Sequence, residues 1–191
     1  MLTVCRFEEE IELDLHIFLE KCKELNYINN SSIDRLKLYE WPETYAQFWV
    51  IWLDKKIVAI SGCHKLEDLG NNYCRIGFRT CQLPYISNYY KKTKYNFHSP
   101  IWYHIIPLQI EWALQKNLVN CVISINSVEN EYFGKIAAKT MSKLEKFDIV
   151  SLEQEVMLYK KLQKIYKINV NNFFKFYNNT KIIKNEKYIT I

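Results

Sequence analysis

Hydrophobic and polar positions change their spacing several times along the chain, and each change predicts a new element. Residues 8–25, EEEIELDLHIFLEKCKEL, place apolar side chains three and four positions apart, which predicts an amphipathic helix. A short strand is expected before it, around Thr3 to Arg6. The segment SSIDRLKLY, with serine at its cap, predicts a second and shorter helix.

The next three apolar runs predict a meander of strands. YAQFWVIWL and KIVAISGCH are joined by DKK, a polar turn typical of an antiparallel hairpin. The turn segment LEDLGNN is followed by YCRIGFRTCQL, whose residues alternate in the period-two pattern of a strand. This predicts a third strand. One face would carry Ile76, Phe78 and Thr80, and the other Arg75, Gly77 and Arg79. A long loop is expected over residues 84–98.

Residues 99–117, SPIWYHIIPLQIEWALQKN, predict a helix with Ser99 as its cap and Pro100 in its first turn. Pro107 lacks a backbone donor, so an alternative is that the regular helix begins only near Ile106. NCVISIN then predicts a strand and NEYFGKIAAKTMSKLEKF a helix. DIVSL and EQEVMLYKKL predict a closing pair of strands, the second of which is also compatible with a helix. The predicted order is β, α, α, β, β, β, α, β, α, β, β, an α/β (α+β) fold.

Length and composition favour one soluble domain. The 191 residues are 49% hydrophobic, and no apolar run approaches the roughly 18 residues of a membrane span or forms a signal peptide. We therefore expect a cytoplasmic protein. The six cysteines form no C-x-x-C pair, and no histidine lies at the spacing that would complete a zinc site. We therefore expect reduced, buried thiols and no metal.

The net charge of +5 is unevenly distributed, because residues 160–191 contain eight lysines and one glutamate. Aromatic residues interleave with these lysines. This composition is compatible with a nucleic-acid contact through charge and stacking, but it favours a solvated lysine face, since runs of like charge are usually exposed. Glycine-rich phosphate loops are excluded as a class, since the chain has four glycines in all.

The order of elements resembles that of the GNAT-type N-acetyltransferases over residues 2–162, and in particular the divergent GNAT-like proteins of tailed phages. FHSPIWYHIIPLQIEWALQKN aligns with the family's cofactor helix without a gap, with Ile105 and Ile106 on its apolar pair. The resemblance implies a mixed, mostly antiparallel central sheet flanked by helices on both faces. It also implies a GNAT-like domain over 1–162 and a basic, aromatic extension over 163–191 packed on that domain, in the host cytoplasm if the protein is viral.

The family motif R/Q-x-x-G-x-G/A is absent, because Phe97, Pro100 and Trp102 stand where the arginine or glutamine and the two glycines would be. Proline has no amide donor and tryptophan adds bulk where a pyrophosphate would approach the backbone. Either the cofactor binds differently, through Ser99 and nearby lysines or through the backbone of residues 103–106, or it does not bind.

The resemblance implies acetyl-CoA as the acetyl donor and a set of site residues. The backbone of Phe78, Arg79 and Thr80 would hold the acetyl group. The remaining cofactor contacts would come from Ser99, Ile101, Trp102, Asn126 and Asn130.

Acetyl transfer also needs a base and an acid. His64, at the end of the third strand, and the nearby Glu67 and Asp68 are the candidate bases, acting directly or through water. Tyr132 is the candidate acid, with Tyr103 or Tyr159 as alternatives.

Two functions follow. The first is an N-acetyltransferase that moves an acetyl group from acetyl-CoA to an amine of a small molecule or protein, as a monomer or homodimer. The alternative is a catalytically inactive GNAT-shaped module that binds nucleic acid or a protein partner.

Overall fold

The structure is a computed structural model, and it describes residues 2–25, 42–83, 100–126, 131–158, 160–181 and 189–190. The predicted second helix, the loop over 84–98, Ser99, Asn130 and Tyr159 lie outside the described residues. Eight strands and five α-helices are described, with short 3-10 turns at Glu9–Ile11 and Glu67–Leu69. In chain order they are β1 (Leu2–Arg6), α1 (Glu12–Glu24), β2 (Ala46–Leu53), β3 (Lys56–Lys65), β4 (Tyr73–Gln82), α2 (Pro100–His104), α3 (Ile106–Gln115), β5 (Asn120–Asn126), α4 (Glu131–Lys146), β6 (Val150–Leu158), β7 (Lys161–Ile168), α5 (Val170–Lys181) and β8 (Ile189–Thr190).

The strands follow the order β6-β7-β5-β4-β3-β2-β1-β8 in one sheet. The pairs β1–β2, β2–β3, β5–β7 and β6–β7 are antiparallel, whereas β4–β5 and β1–β8 are parallel. The predicted mixed, mostly antiparallel sheet with helices is confirmed. The DKK turn is also confirmed as a two-residue turn, with positive φ at Asp54 (49°) and Lys55 (66°).

The chain divides into two compact units. The first comprises Met1–His64, Gly77–Gln109 and Lys184–Ile191. Its core is built on β2 and β3, where Val50, Ile51, Val58 and Ile60 are fully buried. The near-continuous burial of these strands agrees with their apolar sequences, because a strand covered on both faces has no polar side to show water.

The second unit comprises Lys65–Ile76 and Ile110–Ile183. Leu66, Val122, Leu158 and Ile165 form its core cluster. In α5, Phe173 is buried and stacks with Tyr177, with ring centroids 6.2 Å apart. The ring of Phe176 lies 5.8 Å from that of Phe147, at an interplanar angle of 36°. Aromatic side chains of this basic segment therefore contact one another and Phe147.

One sequence expectation is corrected in this unit. DIVSL and EQEVMLYKKL do not form separate strands, because β6 runs through both and absorbs an irregularity between Leu152 and Gln154. The closing strand β7 lies further on, after a turn at Lys160, whose φ is 63°.

The helix over residues 99–117 is divided in two, as the alternative based on Pro107 predicts. A proline at position 107 cannot donate the bond that a continuous helix would direct at residue 103, so α2 ends at His104 and α3 begins at Ile106. The turn remains tight, since Ile105 N–H bonds Ile101 O at 2.9 Å. Of the helices described, none combines the length and the apolar composition that crossing a membrane would require.

Candidate functional site

Strand β4 is longer than the strand segment it faces. Leu66 N–H bonds Tyr73 O and Leu83 N–H bonds Val58 O, each at 2.9 Å. From Tyr73 to Leu83 the chain advances ten residues, while the facing segment from Val58 to Leu66 advances eight. β4 therefore accommodates two additional residues in a local irregularity.

Backbone angles place this irregularity at Gly77 and Arg79, whose φ values are 72° and 49°. Glycine adopts this left-handed region at little cost, whereas an arginine held there is strained. A strained non-glycine residue inside a strand points to a backbone shape that the surrounding structure imposes. The segment Gly77–Thr80 is hereafter called the β4 bend.

The bend changes which face of the sheet successive residues occupy, so the predicted alternation of β4 is wrong beyond Gly77. Phe78 lies against His64, with ring centroids 4.4 Å apart. Thr80 instead bonds Ser61, which points to the other face of β3 because it is an odd number of positions from His64. Residues two apart in a regular strand share a face, and Phe78 and Thr80 do not.

One side of the bend is held by polar side chains. Gly77 N–H donates to Gln109 Oε1 at 2.9 Å, and Gln109 Nε2 donates to Ser61 Oγ at 3.0 Å. Ser61 Oγ and Thr80 Oγ1 are 2.7 Å apart, and Thr80 donates to Gly77 O at 3.0 Å. Gln109 and Ser61 are fully buried, whereas Thr80 is exposed.

The other side of the bend is aromatic. His64 is 2% exposed and stacks with Tyr45 at 5.9 Å, on the same side as Phe78. The Phe48 ring lies 6.1 Å from Phe78 and directly over Gly62. The Arg79 guanidinium stands 4.8 Å above the Phe78 ring, a cation–π distance. Phe78 is thus fixed by neighbours on several sides.

Two pairs of cysteine thiols adjoin β4. The first pair is Cys22 and Cys81. The hydrogen bond between these two thiols lowers the pKa of Cys81 and, together with burial, raises the pKa of Cys22. Cys74 and Cys121 are cross-strand partners, and burial with the nearby Cys74 raises the pKa of Cys121 to about 12. All six cysteines are free, and five are buried. Within the described ranges, no cluster of three or more His, Cys, Asp or Glu side chains is placed to hold a metal ion.

The remaining predicted site residues occupy several elements. Pro100, Ile101 and His104 of α2 are buried and Trp102 is half-buried. Glu67 is exposed in the turn after β3. Asn126 is the last residue of β5 and Tyr132 the second of α4, and the positions of their side chains are not described.

No protein-family model matches the sequence, and neither does any curated protein sequence. Solved structures do match. A protein from Desulfovibrio desulfuricans assigned to the GNAT family gives a TM-score of 0.60 at 10% identity, over 89% of this chain and 99% of that one. A GNAT-family acetyltransferase from Streptococcus pneumoniae gives 0.50 at 11% identity, over 88% and 100%. FeeM, an N-acyl amino acid synthase from uncultured soil microbes, gives 0.55 at 9% identity, over 92% and 95%.

The chain has the GNAT fold. At identities of 9–11% the likeness concerns the fold alone. The fold agrees with the family resemblance of the sequence, in which the middle of the fourth strand holds the acetyl group. The β4 bend lies within the fourth strand of this fold, over Gly77–Thr80.

Sequence reasoning missed Ser61 and Gln109. Ser61 lies within an otherwise apolar strand and Gln109 within the apolar half of a helix, so each was a polar residue at an expected core position. Buried polar side chains need partners, and this signal was available before the structure. The identity of their partners could not be predicted from the sequence, because Gln109 is 32 residues from Gly77 and 48 from Ser61.

Proposed function

We propose that this protein is an N-acetyltransferase that moves an acetyl group from acetyl-CoA to an amine. The observation that carries the proposal is the β4 bend of a GNAT fold, with φ of 72° at Gly77 and 49° at Arg79. A bend of this kind turns backbone groups away from the sheet ladder, where they become available to a ligand. The backbone of Phe78, Arg79 and Thr80 is our candidate for holding the thioester carbonyl.

In this reaction the amine nitrogen attacks the thioester carbon, the C–N bond forms and the C–S bond breaks. The amine loses a proton to a base and the leaving thiolate of CoA takes one from an acid. His64 is our candidate base, because its ring lies 4.4 Å from that of Phe78 within the bend. Glu67 is the exposed alternative, and Tyr132 is the proposed acid.

The fit to the nucleotide end of acetyl-CoA depends on α2. Pro100 is buried and offers no amide, so the pyrophosphate would depend on Ser99, Ile101 and Trp102 and on lysines of the preceding segment. The half-buried Trp102 indole is available for apolar contact with the cofactor. Asn126 and Asn130 are proposed to contact the pantetheine arm. Acetyl-CoA is an intracellular metabolite, so we place the reaction in the cytoplasm.

Calorimetric titration with acetyl-CoA, CoA and ATP tests this proposal. We expect acetyl-CoA to bind with a dissociation constant below about 1 mM, the range of ordinary enzyme substrates. ATP controls for nonspecific attraction of phosphates to a chain of net charge +5. Absence of acetyl-CoA binding at millimolar concentration would overturn the proposal, as would equal binding of ATP.

The buried Pro100 favours one alternative, a non-catalytic module in which α2 fills the cofactor site. A nucleic-acid role for residues 160–191 has less support, because Tyr166 and Phe173 are buried and cannot stack on bases without rearrangement. A gel shift with single- and double-stranded DNA and RNA at two salt concentrations separates the alternatives. A salt-sensitive shift without acetyl-CoA binding would favour the module.

A further inference from the structure

The polar contacts at the β4 bend form a closed ring that begins and ends on Gly77. Thr80 has a single hydroxyl proton, which it donates to Gly77 O, so in the 2.7 Å contact Ser61 must be the donor. Ser61 Oγ then accepts from Gln109 Nε2, and Gln109 Oε1 accepts from Gly77 N–H. Every donor in the ring meets one acceptor, and exchanging the Gln109 oxygen and nitrogen would set two donors against each other.

Side chains of this ring bond both backbone groups of Gly77. Gln109 holds the N–H and Thr80 holds the C=O, so the peptide units on either side of Gly77 are fixed by side chains. Breaking the ring at Gln109 would leave the half-buried Gly77 amide and the buried Ser61 hydroxyl with lost partners, which is costly. Hydrogen bonds in such a series also strengthen one another. The bend is therefore set by three side chains acting together.

We propose that Gln109 is a positioning residue for acetyl transfer. Through the ring it holds the backbone of Phe78–Thr80 in the conformation that receives the acetyl group, without itself contacting the substrate. This inference rests on the proposed function and deepens it. It assigns Gln109, Ser61 and the Thr80 hydroxyl to one unit whose purpose is recognition of the acetyl group of acetyl-CoA.

The ring should affect binding of the acetyl group of acetyl-CoA but not binding of its CoA portion. The ring acts on the bend, whereas the phosphates and adenine of CoA would contact residues outside the ring. Loss of the ring should therefore weaken binding of acetyl-CoA while leaving binding of CoA nearly unchanged. A purely structural role predicts a different result, in which the affinities for the two ligands fall together or not at all.

Two pairs of proteins test this. Gln109→Met, of similar length but unable to accept the Gly77 bond, is compared with wild type. Thr80→Val, which loses the hydroxyl at an exposed position, is compared with Thr80→Ser, which keeps it. Because Thr80 is exposed, the second pair remains informative if Gln109→Met does not fold.

The first measurement is amide hydrogen exchange after selective 15N-glycine labelling. The chain has four glycines, so the spectrum contains four amide signals, and Gly77→Ala identifies the relevant one. We expect the Gly77 amide to be protected in wild type and Thr80→Ser, and to exchange at least about tenfold faster in Gln109→Met. If Gln109→Met leaves Gly77 exchange unchanged, the ring is absent and the inference is wrong.

The second measurement is the ratio of dissociation constants for CoA and acetyl-CoA in the same calorimeter. We expect this ratio to fall about five- to tenfold in Gln109→Met and Thr80→Val, the effect of one weakened hydrogen bond, and to be retained in Thr80→Ser. An unchanged ratio despite faster Gly77 exchange would sink the inference and leave the proposed function intact. Absence of binding of either ligand to wild type would overturn both.

Discussion

Phe78 and Thr80 are two residues apart in one strand, yet Phe78 meets His64 on one face of the sheet and Thr80 bonds Ser61 on the other. The strained φ of Arg79 between them makes this possible. One short segment thus joins an aromatic cluster to a polar ring. Substitutions on either side of the segment should have separable effects.

The two left-handed residues of the bend should differ in their response to substitution. For Gly77→Ala we expect a loss of roughly 1–2 kcal/mol in unfolding free energy, because the added Cβ has room but the backbone angle disfavours it. For Arg79→Gly the relief of strain offsets the entropy of glycine, and we expect a change within about 1 kcal/mol. Urea denaturation measures both. Equal destabilisation by the two substitutions would contradict the assigned backbone angles.

Gly62 should be intolerant of a side chain because Phe48 lies over it. A Cβ at position 62 would overlap the Phe48 ring atoms Cδ1 and Cε1. We expect Gly62→Ala to cost about 1–3 kcal/mol, the usual range for overpacking a core. The double variant Gly62→Ala with Phe48→Leu should recover part of this loss. Additive losses in the double-mutant cycle would show that the overlap is not the cause.

His64→Phe tests the proposed base while keeping an aromatic ring between Tyr45 and Phe78. If His64 removes the amine proton, kcat should fall by about 10²-fold or more, with a smaller change in the affinity for acetyl-CoA. The melting temperature should stay close to that of wild type. Activity retained in His64→Phe but lost in Glu67→Gln would transfer the role of base to Glu67.

Alkaline pH should destabilise the protein through Cys121. Its pKa is raised from 9.0 to about 12 in the folded chain, so between these values the unfolded chain loses a proton that the folded chain keeps. Stability present below pH 9 is therefore lost progressively up to about pH 12. We expect Cys121→Val to reduce the slope of unfolding free energy against pH by up to about 1.4 kcal/mol per unit. Identical slopes above pH 9 would contradict this assignment.

The β2–β3 hairpin offers a simple stabilising change. Asp54 and Lys55 both have positive φ, the geometry of a type I′ turn, in which Asp-Gly is a preferred pair. Lys55→Gly should raise the unfolding free energy by roughly 0.5–1 kcal/mol. Lys56→Gly, one position later and in the strand, is the matched control and should be destabilising. A stability loss in both variants would rule out the turn type.

The sequence was sufficient for features that depend on local pattern. The apolar runs of β2 and β3, the DKK turn and the break at Pro107 all follow from residue type and spacing. The bend in β4 could not be predicted in this way, because a strand of alternating residues gives no local sign that a residue within it will adopt a left-handed conformation. The bend depends on Gln109, which accepts from Gly77 N–H from 32 residues away, together with the nearby Thr80 hydroxyl.

The hydrogen-bond ring also has a consequence for the order of folding. Gln109 meets Ser61 and Gly77 across sequence separations of 48 and 32 residues, so the ring closes only after α3 docks on β3 and β4. A nascent chain that has exposed both strands but not yet residue 109 has no means of fixing the bend. The ribosome must therefore complete α3 before the β4 bend can take its final form.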